Sequence, residues 1–87
     1  MYQHDFCSDA GHGWLKVTTA ELLNLKIYGE ISSYSHVLGD DVYLEEDCDA
    51  PMFVRAYETQ YGLKPAFKSV DHGALSPIRG YDRFEGH

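Results

Sequence analysis

Apolar positions come in short blocks whose period changes along the chain. Tyr2, His4 and Phe6 alternate with Gln3 and Asp5, which predicts a strand. Ser8-Asp9-Ala10-Gly11-His12-Gly13 breaks the alternation as a loop, and Trp14 to Val17 predicts a second strand, so the chain opens on a hairpin with a long tip. Thr18-Thr19-Ala20-Glu21 has the form of a capping box, with Val17 and Leu22 at the positions of a hydrophobic staple. A short helix over 19–25 follows, and Ile27 turns toward the core. Residues 31–38 and 42–46 predict a second hairpin around Gly39-Asp40-Asp41, with Tyr34, His36, Leu38, Val42 and Leu44 on its buried face. A buried His36 would need a hydrogen-bond partner. Phe53, Val54, Tyr57 and Tyr61 then recur at three to four residues, the stripe of a helix over 50–61. Asp49 suits its N-cap, Pro51 its first turn, Gly62 its left-handed end and Leu63 a closing contact. Residues 66–70 predict an edge strand flanked by lysines.

The element order is therefore β-β-α-β-β-α-β. The fold class expected is α+β: a small, mostly antiparallel sheet with two short helices on one face. The single domain spans 1–72. Residues 73–87 read as an irregular tail laid over it, since Leu75, Ile78, Tyr81 and Phe84 are spaced for contact while Pro77 and the glycines oppose a helix.

Composition adds that 87 residues suffice for one domain, and that 44% hydrophobic residues suffice for a core. The net charge of -7 argues against binding nucleic acid directly or an anionic membrane. Its distribution is uneven: ten acids and two bases give -8 over 1–50, whereas four acids and five bases give +1 over 51–87. Six of the acids lie within 40–49. No apolar run reaches the length of a membrane span and no signal-peptide pattern opens the chain, so a cytoplasmic protein with reduced Cys7 and Cys48 is expected.

Three blocks, Gly11-His12-Gly13-Trp14-Leu15, Tyr43-Leu44-Glu45-Glu46-Asp47-Cys48-Asp49 and Ser76-Pro77-Ile78-Arg79-Gly80-Tyr81, resemble small uncharacterised proteins carried by bacteriophages, plasmids and bacterial genomes. The resemblance runs from about Asp9 to Tyr81. It implies a phage or mobile-element setting, and it implies no activity and no catalytic residues.

Four features could carry chemistry. Asp40, Asp41, Glu45, Glu46 and Asp47, with Tyr43 as an aromatic anchor, could form an acidic surface that mimics nucleic-acid phosphate, though a solvated hairpin edge leading to a helix N-terminus is the plainer reading. The run lacks the spacing and the glycine of a calcium loop. His12, Cys48 and His72, with Asp47, are ligand types for zinc, and Cys48 with either histidine has the residue types of a nucleophilic pair, though a buried, inert Cys48 is the plainer reading. The glycines around His12 could approach an anion, but they lack a phosphate-loop pattern and lead into a strand beside a core Trp14. Arg79, Tyr81 and Arg83 could grip a protein or pair internally with the acids of 40–49.

The functional expectation is a small acidic accessory protein that binds a basic surface on a host protein. An inhibitor of host defence, of the anti-CRISPR or anti-restriction kind, would have this character. No cofactor is implied, and a monomer or small homo-oligomer is expected. The alternatives are a metal-binding or Cys/His-dependent enzyme domain and a structural subunit of a larger assembly.

Overall fold

The computed structural model describes residues 3–85. Strand β1 (Gln3–Ser8) and strand β2 (Gly13–Thr18) form the opening hairpin, Phe6 standing opposite Leu15. Tyr2, expected at the start of β1, lies outside the described residues. Helix α1 (Thr19–Asn24) begins as its sequence dictates. The Thr18 hydroxyl accepts from the Glu21 amide, and the Glu21 carboxylate accepts from the Thr18 amide at 2.9 Å. The helix ends in a Schellman motif: Ile27 N–H reaches Leu22 O at 3.0 Å and Lys26 N–H reaches Leu23 O at 3.1 Å. Lys26 occupies the left-handed position that glycine usually fills, with φ 61°.

Strand β3 (His36–Leu38) and strand β4 (Asp41–Glu45) form the second hairpin. Its loop is two residues, Gly39 and Asp40, and the first has φ 61°, as a type II′ turn requires. A two-residue loop pairs Val37 with Val42 and His36 with Tyr43, so even positions of β3 share a face with odd positions of β4. The expected buried face is corrected accordingly. Val42 and Leu44 face the helices, His36 lies on the opposite face, and Leu38 and Tyr34 are exposed.

Helix α2 (Asp49–Tyr61) closes on Gly62, whose φ is 74°. Leu63, expected to close the helix end, is exposed. Asp49 does not cap the helix, which begins after Cys48 without a side-chain cap. Its carboxylate instead accepts from the Ser32 amide (3.1 Å), the Ser32 hydroxyl (2.7 Å) and the Ser35 hydroxyl (2.5 Å). Three donors from one loop outweigh the local capping preference, because a charged acceptor strengthens each bond.

Strand β5 (Ala66–Asp71) pairs with β1, and it does so in parallel, His4 opposite Phe67. The tail supplies a further strand, β6 (Asp82–Arg83), antiparallel to β3. The result is a six-stranded mixed sheet in the order β5-β1-β2-β4-β3-β6. One face meets both helices: Leu15, Val17, Val42 and Leu44 pack with Leu22, Ala50 and Phe53. His4 joins this layer, its ring edge-on to Phe53 at 5.4 Å and its Nε2 2.5 Å from the Glu21 carboxylate. The other face carries Cys7, Trp14 and Tyr43 under Ile78, with Tyr81 alongside.

The tail is thus part of both layers. A 3-10 turn (Pro77–Gly80) presses Ile78 onto one face, and after β6 the chain buries Phe84 in the other. Leu75, expected as an anchor, is 72% exposed. Among the described residues, no helix is long and apolar enough to cross a membrane.

Candidate functional site

The sheet face away from the helices opens into a cleft of about 440 Å³. Trp14 of β2 lies within it, 1% exposed, with three charged or titratable groups around its ring. His12 meets the indole edge-on at 5.3 Å, His36 of β3 at 6.3 Å, and the Arg79 guanidinium stacks at 5.5 Å from the ring centroid. Tyr34, Asp47, Cys48 and Arg83 complete the wall, with Glu45 at the end of β4.

Several of these side chains are held by specific devices. Asp9 opens an Asx turn, its Oδ1 accepting from the Gly11 and His12 amides, each at 3.0 Å. The same carboxylate takes both arms of Arg79, at 2.5 and 2.8 Å, and the Ser76 amide at 2.9 Å. One residue therefore joins the His12 loop to the tail. The Arg79 guanidinium, with the amides behind it, holds the Asp9 carboxyl well below the usual carboxylate range. Asp49, through Ser32 and Ser35, fixes the loop that presents Tyr34, and the Ser35 hydroxyl also accepts from the Glu45 amide at 3.0 Å. His36 finds the partner its burial demands, its Nδ1 donating to Tyr81 O at 3.0 Å.

Glu45 is the unusual member. It is 6% exposed, and Oε1 accepts from the Asp47 amide at 2.9 Å. Its Oε2 lies 2.6 Å from His12 Nε2, close enough for an ion pair but without the alignment of a hydrogen bond. Cys48 is exposed, yet its thiol is pushed up by desolvation and by the neighbouring carboxylates of Glu45, Asp49 and Asp47. A nucleophilic cysteine needs the opposite environment, one that favours thiolate.

The acidic run does not stand as one surface. Asp40 and Asp47 are exposed, and Asp41 lies 3.7 Å from Lys16. Glu46 is half-buried, and Glu45 and Asp49 point inward to the contacts already described. Tyr43 is buried against Tyr81 at a ring distance of 5.3 Å, and burial, then the Asp41 charge, pushes its phenol up to about 12. Arg79 and Arg83 line the same cleft as Glu45 and Asp47 but do not pair with the acids of 40–49 among the described residues. Arg79 pairs with Asp9, and Arg83 donates to Ser33 O at 3.0 Å.

His12 and Cys48 share the cleft, whereas His72 lies apart, its Nδ1 2.6 Å from the Ser76 hydroxyl. The acids that approach His12 are Glu45 and Glu46: one ligand-type atom from each of the three side chains falls within 4.8 Å of the others. Sequence reasoning missed Tyr34, which the hairpin parity misplaced, and Asp9. The signal for Asp9 was present in Asp9-Ala10-Gly11, an acid two residues before a glycine at a turn. No protein family, curated protein or solved structure matches the chain.

Proposed function

We propose that this chain is an interaction protein that engages a host protein through the face around the Trp14 cleft, in the phage or mobile-element setting its three sequence blocks suggest. The observation that carries this reading is Tyr34, a large aromatic side chain 63% exposed at the mouth of a cleft walled by Trp14. An accessible tyrosine beside a formed apolar floor, with charge of both signs at the rim, has the make-up of an interface centre. The exposed acids Asp40 and Asp47 and the net charge of -7 favour a partner with a basic surface. Inhibition of host defence is the form this role takes in our reading. The inward turn of Glu45 and Asp49 favours a mixed aromatic and ionic contact over a continuous imitation of phosphate. The raised thiol of Cys48 gives no support to nucleophilic chemistry.

The test is capture from host lysate by the immobilised protein, compared with Tyr34→Ala/Asp47→Lys. Both residues are exposed, so the variant keeps its melting curve. A partner retained at low salt, released as salt rises and lost by the variant bears the reading out. Equal retention by both proteins, or none, overturns it.

A further inference from the structure

We infer that His12, Glu45 and Glu46 bind a divalent transition-metal ion, zinc foremost, at the edge of the cleft. Nearby acids and a histidine are by themselves commonplace on a protein surface. What points to a ligand is Glu45, more than nine-tenths buried, whose Oε2 makes no aligned hydrogen bond. That oxygen lies 2.6 Å from His12 Nε2.

The identity of the facing atom follows from the other side of the ring. His12 Nδ1 lies 3.3 Å from Gly11 O, and a carbonyl only accepts, so Nδ1 carries hydrogen and, in the neutral ring, Nε2 presents its lone pair. In that state Nε2 and the Glu45 carboxylate are both electron donors, so a cation, a proton or a metal ion, is what holds them together. A proton on Nε2 serves poorly, because the N–H is not aligned on Oε2. A metal ion can take the place of the proton. With bonds of roughly 2.0–2.2 Å, a tetrahedral ion holds its donors about 3.4 Å apart, so the His12 and Glu45 side chains part by under about 1 Å to admit it.

Glu46 supplies the third ligand, within 4.8 Å of the other two. Gly13 leaves space for its carboxylate, since a Cβ there would stand 3.0 Å from Glu46 Oε2 and 2.8 Å from the Phe6 ring. The surroundings are those of a metal site. Gly11 O holds the non-ligating nitrogen of His12, the Asp47 amide holds Glu45 Oε1, and Asp9 holds the His12 amide. One nitrogen and two carboxylates suit zinc and its divalent neighbours, and three protein ligands leave a coordination position for water or a substrate atom.

The site is independent of the partner reading, because it is tested with zinc alone. Titration calorimetry of tag-free protein with Zn²⁺ should show one ion per chain, with a Kd of about 1 μM or tighter. Glu46→Gln alters a half-exposed side chain and should leave the thermal melt of the metal-free protein in place, whereas His12→Gln also removes the partner of the buried Glu45 and is read against its own metal-free melt. Each should weaken binding by about tenfold or more. Absence of saturable binding, or affinity that survives either substitution, overturns the inference. Added Zn²⁺ should also raise the melting temperature of the native protein and of neither variant.

Discussion

Asp9 carries more of the site than any residue in the acidic run. Its carboxylate gathers the Gly11, His12 and Ser76 amides and both arms of Arg79, so it sets the position of His12 on one side and of the Trp14 stack on the other. A carboxyl whose pKa is lowered by folding stabilises the fold above its unfolded value, and that contribution disappears as pH falls through the lower folded value. The native protein should therefore lose thermal stability as pH drops below about 4, the ordinary range of a carboxylate. Asp9→Asn should melt earlier at pH 7 and show a weaker dependence on acid, read by circular dichroism across a pH series. A native-like melt with an unchanged acid limb in Asp9→Asn would contradict the role given to this carboxylate. Glu21 has a lowered pKa too. Burial opposes its charge, but hydrogen bonds from His4 and Thr18 outweigh that cost, so it reinforces the same pH trend.

Among the elements, α1 shows how far local chemistry reaches. Its capping box starts it, and Leu22 with Ile27 closes the Schellman motif on the core. The one local conflict is Lys26 at φ 61°, a conformation a side chain disfavours by roughly 1–2 kcal/mol. Glycine relieves that cost but adds freedom to the unfolded chain, so Lys26→Gly should stabilise by up to about 1 kcal/mol in urea unfolding. A loss of stability would mean that the lysine side chain makes a contact worth more than the strain. Elements governed by neighbouring residues were legible in the sequence: the capping box, the 3.6-residue stripe of α2 and the turn at Gly39. Relations between elements were not. Counting alternate positions through the second hairpin put His36 and Leu38 beside Val42, because the register depends on how many residues the turn spends. Asp49 reads as a cap from its neighbours alone, and only the approach of Ser32 and Ser35 redirects it. The members of the site, His12, Cys48, Glu45, Arg79 and Arg83, could be singled out one by one. Their sharing of one cleft rests on β2, β4 and the tail meeting around Trp14, which no local pattern encodes.

In the whole molecule, the segment read as a tail is structural. Residues after Ala74 supply Ile78 to one face, β6 to the edge beside β3, and Phe84 to the helical layer. Arg79 also anchors Asp9 from there. Chain ended at Ala74 should therefore fail to fold cooperatively. Its melt should be broad or absent and its proteolysis rapid, where a dispensable tail would leave a sharp transition.

The path of that segment has a consequence for how the molecule is made. β1 waits some sixty residues for its parallel neighbour β5, and Phe84 arrives later still. Long loops must close before these contacts repay their entropy, so little native structure accumulates while the chain is growing. At about 5–20 residues per second, the first hairpin spends seconds outside the ribosome with its apolar positions uncovered. The fold is complete only once that last core residue, Phe84, has cleared the exit tunnel. The nascent chain, more than the finished protein, is the species that needs shelter from chaperones.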